Sequence, residues 1–233
     1  VRLLLTRPAT DAARTAAALR ARGHEPVLLP LLDIEMLSDA ELGAGPWTAI
    51  LVTSTNAVRA IARHKRHDEL RGVTVFTVGE RSAQAMRDVG FADVVSARGD
   101  VTDLAKLVVA RIKSPTRLLY LAGEERSGDL AGLLRARNLA VDTALVYRAV
   151  INKTPRAAAA FAANIDGVLH FSRRSAEAYL AAAGDAGLLE SALKNPIHFC
   201  LSARVAEPLR LAGAARLHIA ARADEAALLE LCG

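Results

Sequence analysis

Three hydroxyl side chains and an amide stand in a row at Thr53, Ser54, Thr55 and Asn56, directly after the apolar residues Ile50, Leu51 and Val52. Hydroxyls and the free backbone N–H groups at a helix start both donate to carboxylate oxygens. The same arrangement returns after Val168, Leu169, His170 and Phe171, where Ser172 is followed by Arg173 and Arg174. Arginine adds a planar fork that matches a carboxylate. Two guanidinium groups at a helix start oppose the helix dipole, which is unfavourable unless an anion lies there. Gly79, Glu80, Arg81 and Ser82 form a further set, echoed by Ser202, Ala203 and Arg204, and Thr6 and Arg7 follow the apolar opening of the chain. These residue types bind anions. They do not make a nucleophilic triad, a carboxylate pair or a metal cluster, so no metal is expected.

The elements that must position these residues are strands running into helices. Residues 50–52 fit a buried parallel strand, and Val58, Ile61 and Ala62 continue as an amphipathic helix. Ligands of open α/β sheets bind at the carboxyl edge of the strands, where such turns lie. Residues 76–83 (FTVGERSA) are matched by 199–206 (FCLSARVA), with Arg81 over Arg204 and Ala83 over Ala206. Ser54 over Ser172 is an offset of 118 and Arg81 over Arg204 one of 123, each near half of 233, which points to a duplicated α/β unit. Further strands are read at 1–5, 26–32, 73–78, 94–95, 117–122, 141–150 and 217–220, and one helix is read from Pro155. Strands alternating with helices imply mostly parallel sheets with right-handed crossovers. Segments 32–37 and 143–150 alternate apolar and polar residues, the pattern of exposed or half-buried strands.

Bulk properties narrow the function. The chain is 52% hydrophobic and 24% charged, a globular balance, with a formal charge of +5 and a pI near 9.6. Its basic residues are dispersed, apart from His64 to His67, and no aromatics are interleaved for base stacking, so an acidic small molecule suits the charge better than nucleic acid. His64 and His67, in the company of Lys65 and Arg66, read as a solvated face, and His170 as a core histidine. No Gly-rich dinucleotide loop and no Gly-Lys-Ser/Thr phosphate loop is present, which disfavours a nucleotide cofactor. Two cysteines, Cys200 and Cys232, cannot make a disulfide framework, and no apolar run reaches the ~20 residues of a membrane span. Residues 1–5 read as a strand and not as a leader. A cytoplasmic monomer without cofactor, membrane or nucleic-acid partner is expected.

In order along the chain, LLLTRP (3–8), ILVTSTNAV (50–58), FTVGERSA, LLYLAG (118–123), Val146–Tyr147–Arg148, VLHFSRRSA (168–176) and FCLSARVA resemble uroporphyrinogen-III synthases. The resemblance covers essentially the whole chain. It implies two similar doubly wound, flavodoxin- or Rossmann-like α/β domains with parallel sheets, joined by a two-stranded antiparallel connector with a cleft between them. Mapped here, residues 1–32 and 151–233 form one discontinuous domain, 36–145 the inserted one, and 32–37 with 143–150 the connector. The implied reaction is cyclisation of hydroxymethylbilane, a linear tetrapyrrole bearing acetate and propionate arms. Water is lost, the last ring is inverted, and uroporphyrinogen III closes without a cofactor.

The resemblance also implies roles. Thr53, Ser54, Thr55 and Asn56 would bind carboxylates at one cleft edge, with Gly79, Arg81, Ser82, Ala122 and Gly123. Phe171, Ser172, Arg173, Arg174, Ser202, Arg204, Thr6 and Arg7 would serve the other. The family's threonine in the Gly79 loop has Ser82 in its place, and its counterpart in the other lobe has Val205, which cannot supply a hydroxyl. Tyr147 would be the acid, or the orienter, for the departing hydroxyl. The rival reading is a non-catalytic two-lobed binding protein for an anionic small molecule, which would need no tyrosine.

Overall fold

The computed structural model describes residues 1–113, 115–126, 128–152 and 157–233. The chain divides into two compact units, Val1–Asp33 with Val150–Gly233, and Ile34–Ala149. It opens with β1 (Arg2–Leu5), α1 (Ala9–Arg20), β2 (Glu25–Leu28) and β3 (Leu32–Met36). The continuous unit then holds β4 (Ala49–Val52), α2 (Thr55–Ile61), α3 (His67–Leu70), β5 (Thr74–Thr77), α4 (Glu80–Asp88) and β6 (Val94–Ser96). It is completed by α5 (Val101–Arg111), β7 (Arg117–Gly123), α6 (Leu130–Arg135) and β8 (Ala140–Ile151). The remainder gives α7 (Ala157–Ala162), β9 (Gly167–His170), α8 (Arg173–Asp185), α9 (Leu189–Lys194), β10 (Ile197–Cys200), α10 (Ala203–Leu211), β11 (Leu217–Ile219) and α11 (Glu225–Glu230). Pro155 lies outside the described residues.

Each unit is an open, doubly wound α/β sheet, as the sequence implies. In the continuous unit β8, β7, β4, β5 and β6 run parallel in that order. Every residue of β4 is buried: Ile50 and Val52 enter the core on one face, Ala49 and Leu51 the core on the other. A strand buried on both faces must be apolar throughout, which is why this stretch is an unbroken hydrophobic run. The discontinuous unit repeats the plan, with β11, β10, β9, β1 and β2 parallel. Leu4 and Val168 face one core there, and Leu3, Leu5 and Leu169 the other. Among the described residues, no helix is long and apolar enough to cross a membrane.

The two sheets share one spatial order reached by different chain orders. β9 lies between its successor β10 and the strand β1, which leads outward to β2; β4 lies between its successor β5 and β7, which leads outward to β8. Thus β9–β11 correspond to β4–β6, whereas β1–β2 correspond to β7–β8. The duplication read from the sequence offsets is therefore corrected to a circularly permuted one: the offset changes sign for Thr6 and Arg7, whose counterparts by register are Leu121 and Ala122.

Three local readings also change. The strand read at 26–32 is shorter, ending at Leu28 as β2, and the alternating segment 32–37 forms the separate strand β3. The segment 143–150 lies in the twelve-residue β8, the strand read at 141–150, and as far as Tyr147 it is shared with the sheet of the continuous unit by pairing with β7. β3 is the other neighbour of β8. Leu37 N donates to Val146 O, Arg148 Nε to Glu35 Oε2 at 2.8 Å, and Asn152 N to Leu31 O. Partner numbers fall as residue numbers rise, which is the antiparallel sense. Finally, His64 is buried and not on a solvated face: its Nε2 meets Ala40 O at 3.0 Å and its Nδ1 accepts from Arg66 N.

Gly167 marks a tight point in the discontinuous unit. It pairs with Leu3 on one side and Ile197 on the other, and an added Cβ would lie 3.0 Å from Leu3 Cδ2 and against the Phe199 ring. Gly167→Ala is expected to destabilise the protein by about 1–3 kcal/mol, the usual cost of overpacking a close-packed core. A urea midpoint equal to that of the unsubstituted protein would show that Phe199 yields freely.

Candidate functional site

In the continuous unit, the carboxyl ends of β4, β7 and β8 bring four hydroxyls into two hydrogen-bonded pairs. Thr53 Oγ1 and Tyr120 Oη are 3.1 Å apart. Ser54 caps α2, its Oγ accepting from Asn56 N at 3.2 Å, and the same side chain hydrogen-bonds Tyr147. The ring of Tyr147 reaches this position because Gly123 has no side chain: a Cβ there would collide with the ring and its hydroxyl. A register shift between Ala122 and Gly123 sets Gly123 opposite Tyr147, and Glu124 N donates to Tyr147 O. Burial pushes the Tyr147 hydroxyl above its ordinary pKa; the Ser54 hydrogen bond opposes this, and the neighbouring Tyr120 and Glu125 reinforce it. Tyr147 is therefore a protonated donor at neutral pH, partly screened from water.

Tyr120 was not among the residues singled out from the sequence. Its ring reads as one more core residue of an apolar strand, and only its register opposite Leu51 brings its hydroxyl to the end of β4. Around this group, Thr55 opens α2, and Asn56 Oδ1 accepts from Arg59 NH1 at 2.8 Å. Gly79 caps α4 in an extended conformation, and its carbonyl accepts from Thr77 Oγ1. Beyond it Arg81 is exposed and Ser82 buried, so in this loop the guanidinium is the accessible group. Ala122 is fully buried and contributes backbone only.

The corresponding edge of the discontinuous unit is built from charge networks. Thr6 is fully buried and ties β1 to β9 through Leu169 O at 3.3 Å. Arg7 donates to Thr15 Oγ1 at 2.9 Å, lies 3.3 Å from Glu225 and 3.8 Å from Asp11, and stacks 4.0 Å above the Phe171 ring. Burial lowers the pKa of Arg7 while the two carboxylates hold it charged. Glu225 titrates below the ordinary range: burial works against ionisation, and the Thr15 hydroxyl, Arg7 and Arg14 outweigh it. Ser172 and Ser175 form a reciprocal cap at the start of α8.

Arg173 meets Glu177 at 2.8 Å and Glu207 at 2.6 Å. The anions that offset its position at a helix start are supplied by the protein, which corrects the inference that a bound ligand is needed there. Ser202 begins α10 without a side-chain cap, and Arg204 is exposed in its first turn. His170, read as a core histidine, is fully buried, with its Nε2 3.2 Å from His198 Nδ1.

These hydroxyl and arginine edges can be set against known proteins. A family model described as "Uroporphyrinogen-III synthase HemD" matches residues 13–230. The chain belongs to the uroporphyrinogen-III synthase family. A curated relative, "Porphyrin biosynthesis protein HemD" of Ruminiclostridium josui, is 25% identical over 158 residues, covering 63% of this chain and 31% of that protein. The chain thus spans about a third of that relative's length. Among solved structures, the uroporphyrinogen-III synthetase of Helicobacter pylori superposes with a TM-score of 0.69 at 17% identity, over 99% of this chain and 97% of that one. A mutant uroporphyrinogen III synthase of Thermus thermophilus does so with 0.52 at 16% identity, over 100% and 97%. At such identities the superpositions speak for the fold alone. Within the family fold, Tyr147 stands on β8 beside the Ser54 cap.

Proposed function

We propose that this protein is a lyase that cyclises hydroxymethylbilane to uroporphyrinogen III, with loss of water and inversion of the last pyrrole ring. Family membership over residues 13–230 is the observation that carries this reading. The site chemistry agrees with it. The pyrrole nitrogen itself stabilises the cation left when the C–O bond breaks, so the protein needs no strong acid. Its task is to hold one folded conformer and to favour the crowded closure over the uninverted one, a matter of positioning and electrostatics.

In this reading Tyr147 donates a hydrogen bond to the departing hydroxyl; the oxygen takes up one proton to leave as water, and the pyrrole cation gives one up once the ring has closed, so the net change is loss of water. Ser54 fixes the direction of the phenol, and Tyr120 does the same for the hydroxyl of Thr53. Acetate and propionate arms are taken by Thr53, Thr55, Asn56, Gly79 and Arg81 in the continuous unit. In the discontinuous unit they are taken by the loops at Ser172, Arg174, Ser202 and Arg204. The segments 32–37 and 143–150 serve as the connector, and the protein works as a cytoplasmic monomer.

The test is turnover of hydroxymethylbilane with separation of the III isomer from the I isomer that closes spontaneously. III-isomer formation in proportion to protein is expected. A product mixture identical to the protein-free control would reject the enzymatic reading and leave a binding protein.

A further inference from the structure

Helices α2 and α4 pack side by side in the continuous unit and leave an open groove of about 730 Å3 between them. Its floor is apolar, formed by Val58 and Ala62 on one side and Ala85 and Val89 on the other. Its rim carries the guanidinium groups of Arg59, Arg63 and Arg81 against one carboxylate, Asp88. Asp88 is engaged by Gln84 Nε2 at 2.8 Å, and Arg59 by the neutral amide of Asn56 at 2.8 Å. The Arg63 side chain is exposed and makes no hydrogen bond or ion pair with any described residue. The volume is that of a small-molecule site. An apolar floor under a cationic rim suits one kind of occupant, a flat apolar ring whose substituents are acids. The floor desolvates the ring, and the forks meet the carboxylates.

We propose that this groove is a subsite for one pyrrole ring of the substrate and its acid arm, with Arg63 as the specificity-determining cation and Arg59 as its second. The assignment rests on the functional reading above. Thr55, which follows the Ser54 cap and lines the groove, joins it to the hydroxyl cluster, so a chain of rings anchored at Tyr147 has a path onto α2. The groove thereby selects for the acidic arms of one ring, a discrimination that the hydroxyl cluster alone cannot make.

The variants Arg63→Ala, Arg63→Lys and Arg59→Ala/Arg63→Ala change exposed or half-exposed side chains at the end of a short helix, and thermal unfolding checks that they fold. Arg63→Ala is expected to raise KM for hydroxymethylbilane about 5- to 10-fold at low salt with kcat within about twofold, the double variant about 30-fold, and Arg63→Lys to recover part of the loss. The porphyrin obtained by oxidising the product serves as a direct binding probe, and its Kd should weaken by matching factors. Unchanged KM and Kd in the folded double variant would overturn the subsite while leaving the function intact. If the unsubstituted protein forms no III isomer, the functional reading fails on its own. The porphyrin Kd then decides the groove: weakening in the variants upholds a carboxylate site there, and no change rejects it.

Discussion

Tyr147→Phe is expected to slow III-isomer formation by roughly 10²- to 10³-fold at most, and not to abolish it. The substitution removes one positioned donor while keeping the ring that packs over Gly123. It acts where negative charge develops on the departing oxygen, and a half-buried donor counts for more there than one in open water. Residual activity is expected because the pyrrole nitrogen assists cation formation whatever the protein supplies. Since the Tyr147 pKa lies above its usual value, the rate should show no titration of this phenol below pH 10. Complete loss of the III isomer in a folded variant would mean that proton donation, not orientation, limits the rate. An unchanged rate would return Tyr147 to packing and leave conformer selection as the whole mechanism.

Stability should fall by about 2 kcal/mol between pH 7 and pH 5 from His198 alone. His170 and His198 are fully buried on adjacent strands, with Tyr179 edge-on to both rings. Among the described residues, His170 Nδ1 and His198 Nε2 have no hydrogen-bond partner. Burial lowers His198 to a pKa of about 4; the backbone at Leu193 and Ala192 favours the charged ring, Arg216 opposes it, and burial prevails. His170 is lowered well below its ordinary value by burial and by its neighbour. Around the pair, Tyr179 is pushed up and Cys200 to about 12, so both stay neutral.

The sign follows from linkage. Folding excludes protons that the unfolded histidines bind, so this stability is fully present above about pH 6.5 and is lost as pH falls toward 4. Urea midpoints at pH 7.5, 6 and 5 measure it, with His170→Gln/His198→Gln as the comparison. The same loss of midpoint on acidification in that double variant would assign the effect to other groups.

Much of this was legible in the sequence because the signals are local. An apolar run followed by a hydroxyl cap writes strand, turn and helix into eight consecutive residues, and the ends of β4 and β9 were located on that basis. The pairing of Arg173 with Glu177 lies one helical turn along the chain, whereas Glu207 stands 34 residues away on α10. Arg7 and Glu225 are farther apart still, so an arginine that reads as a free ligand fork is half of an internal network. Tyr120 was missed for a similar reason, since the register that puts its hydroxyl against Thr53 is set between strands. The permutation was hidden too, because an offset between repeats assumes that both begin at the same strand.

That permutation has a bearing on the order in which the protein is made. The unit Ile34–Ala149 is one uninterrupted stretch, and its β8 and β3 bring Arg148 against Glu35, near both of its ends. It can complete its sheet as soon as β8 has left the ribosome. The other unit cannot: β1 and β2 emerge first but wait for β9, its partner at the middle of the sheet, some 160 residues later. A translating ribosome should therefore carry a folded second unit beside an unfinished first one, whose opening strands are exposed to chaperones until Gly167–His170 arrives.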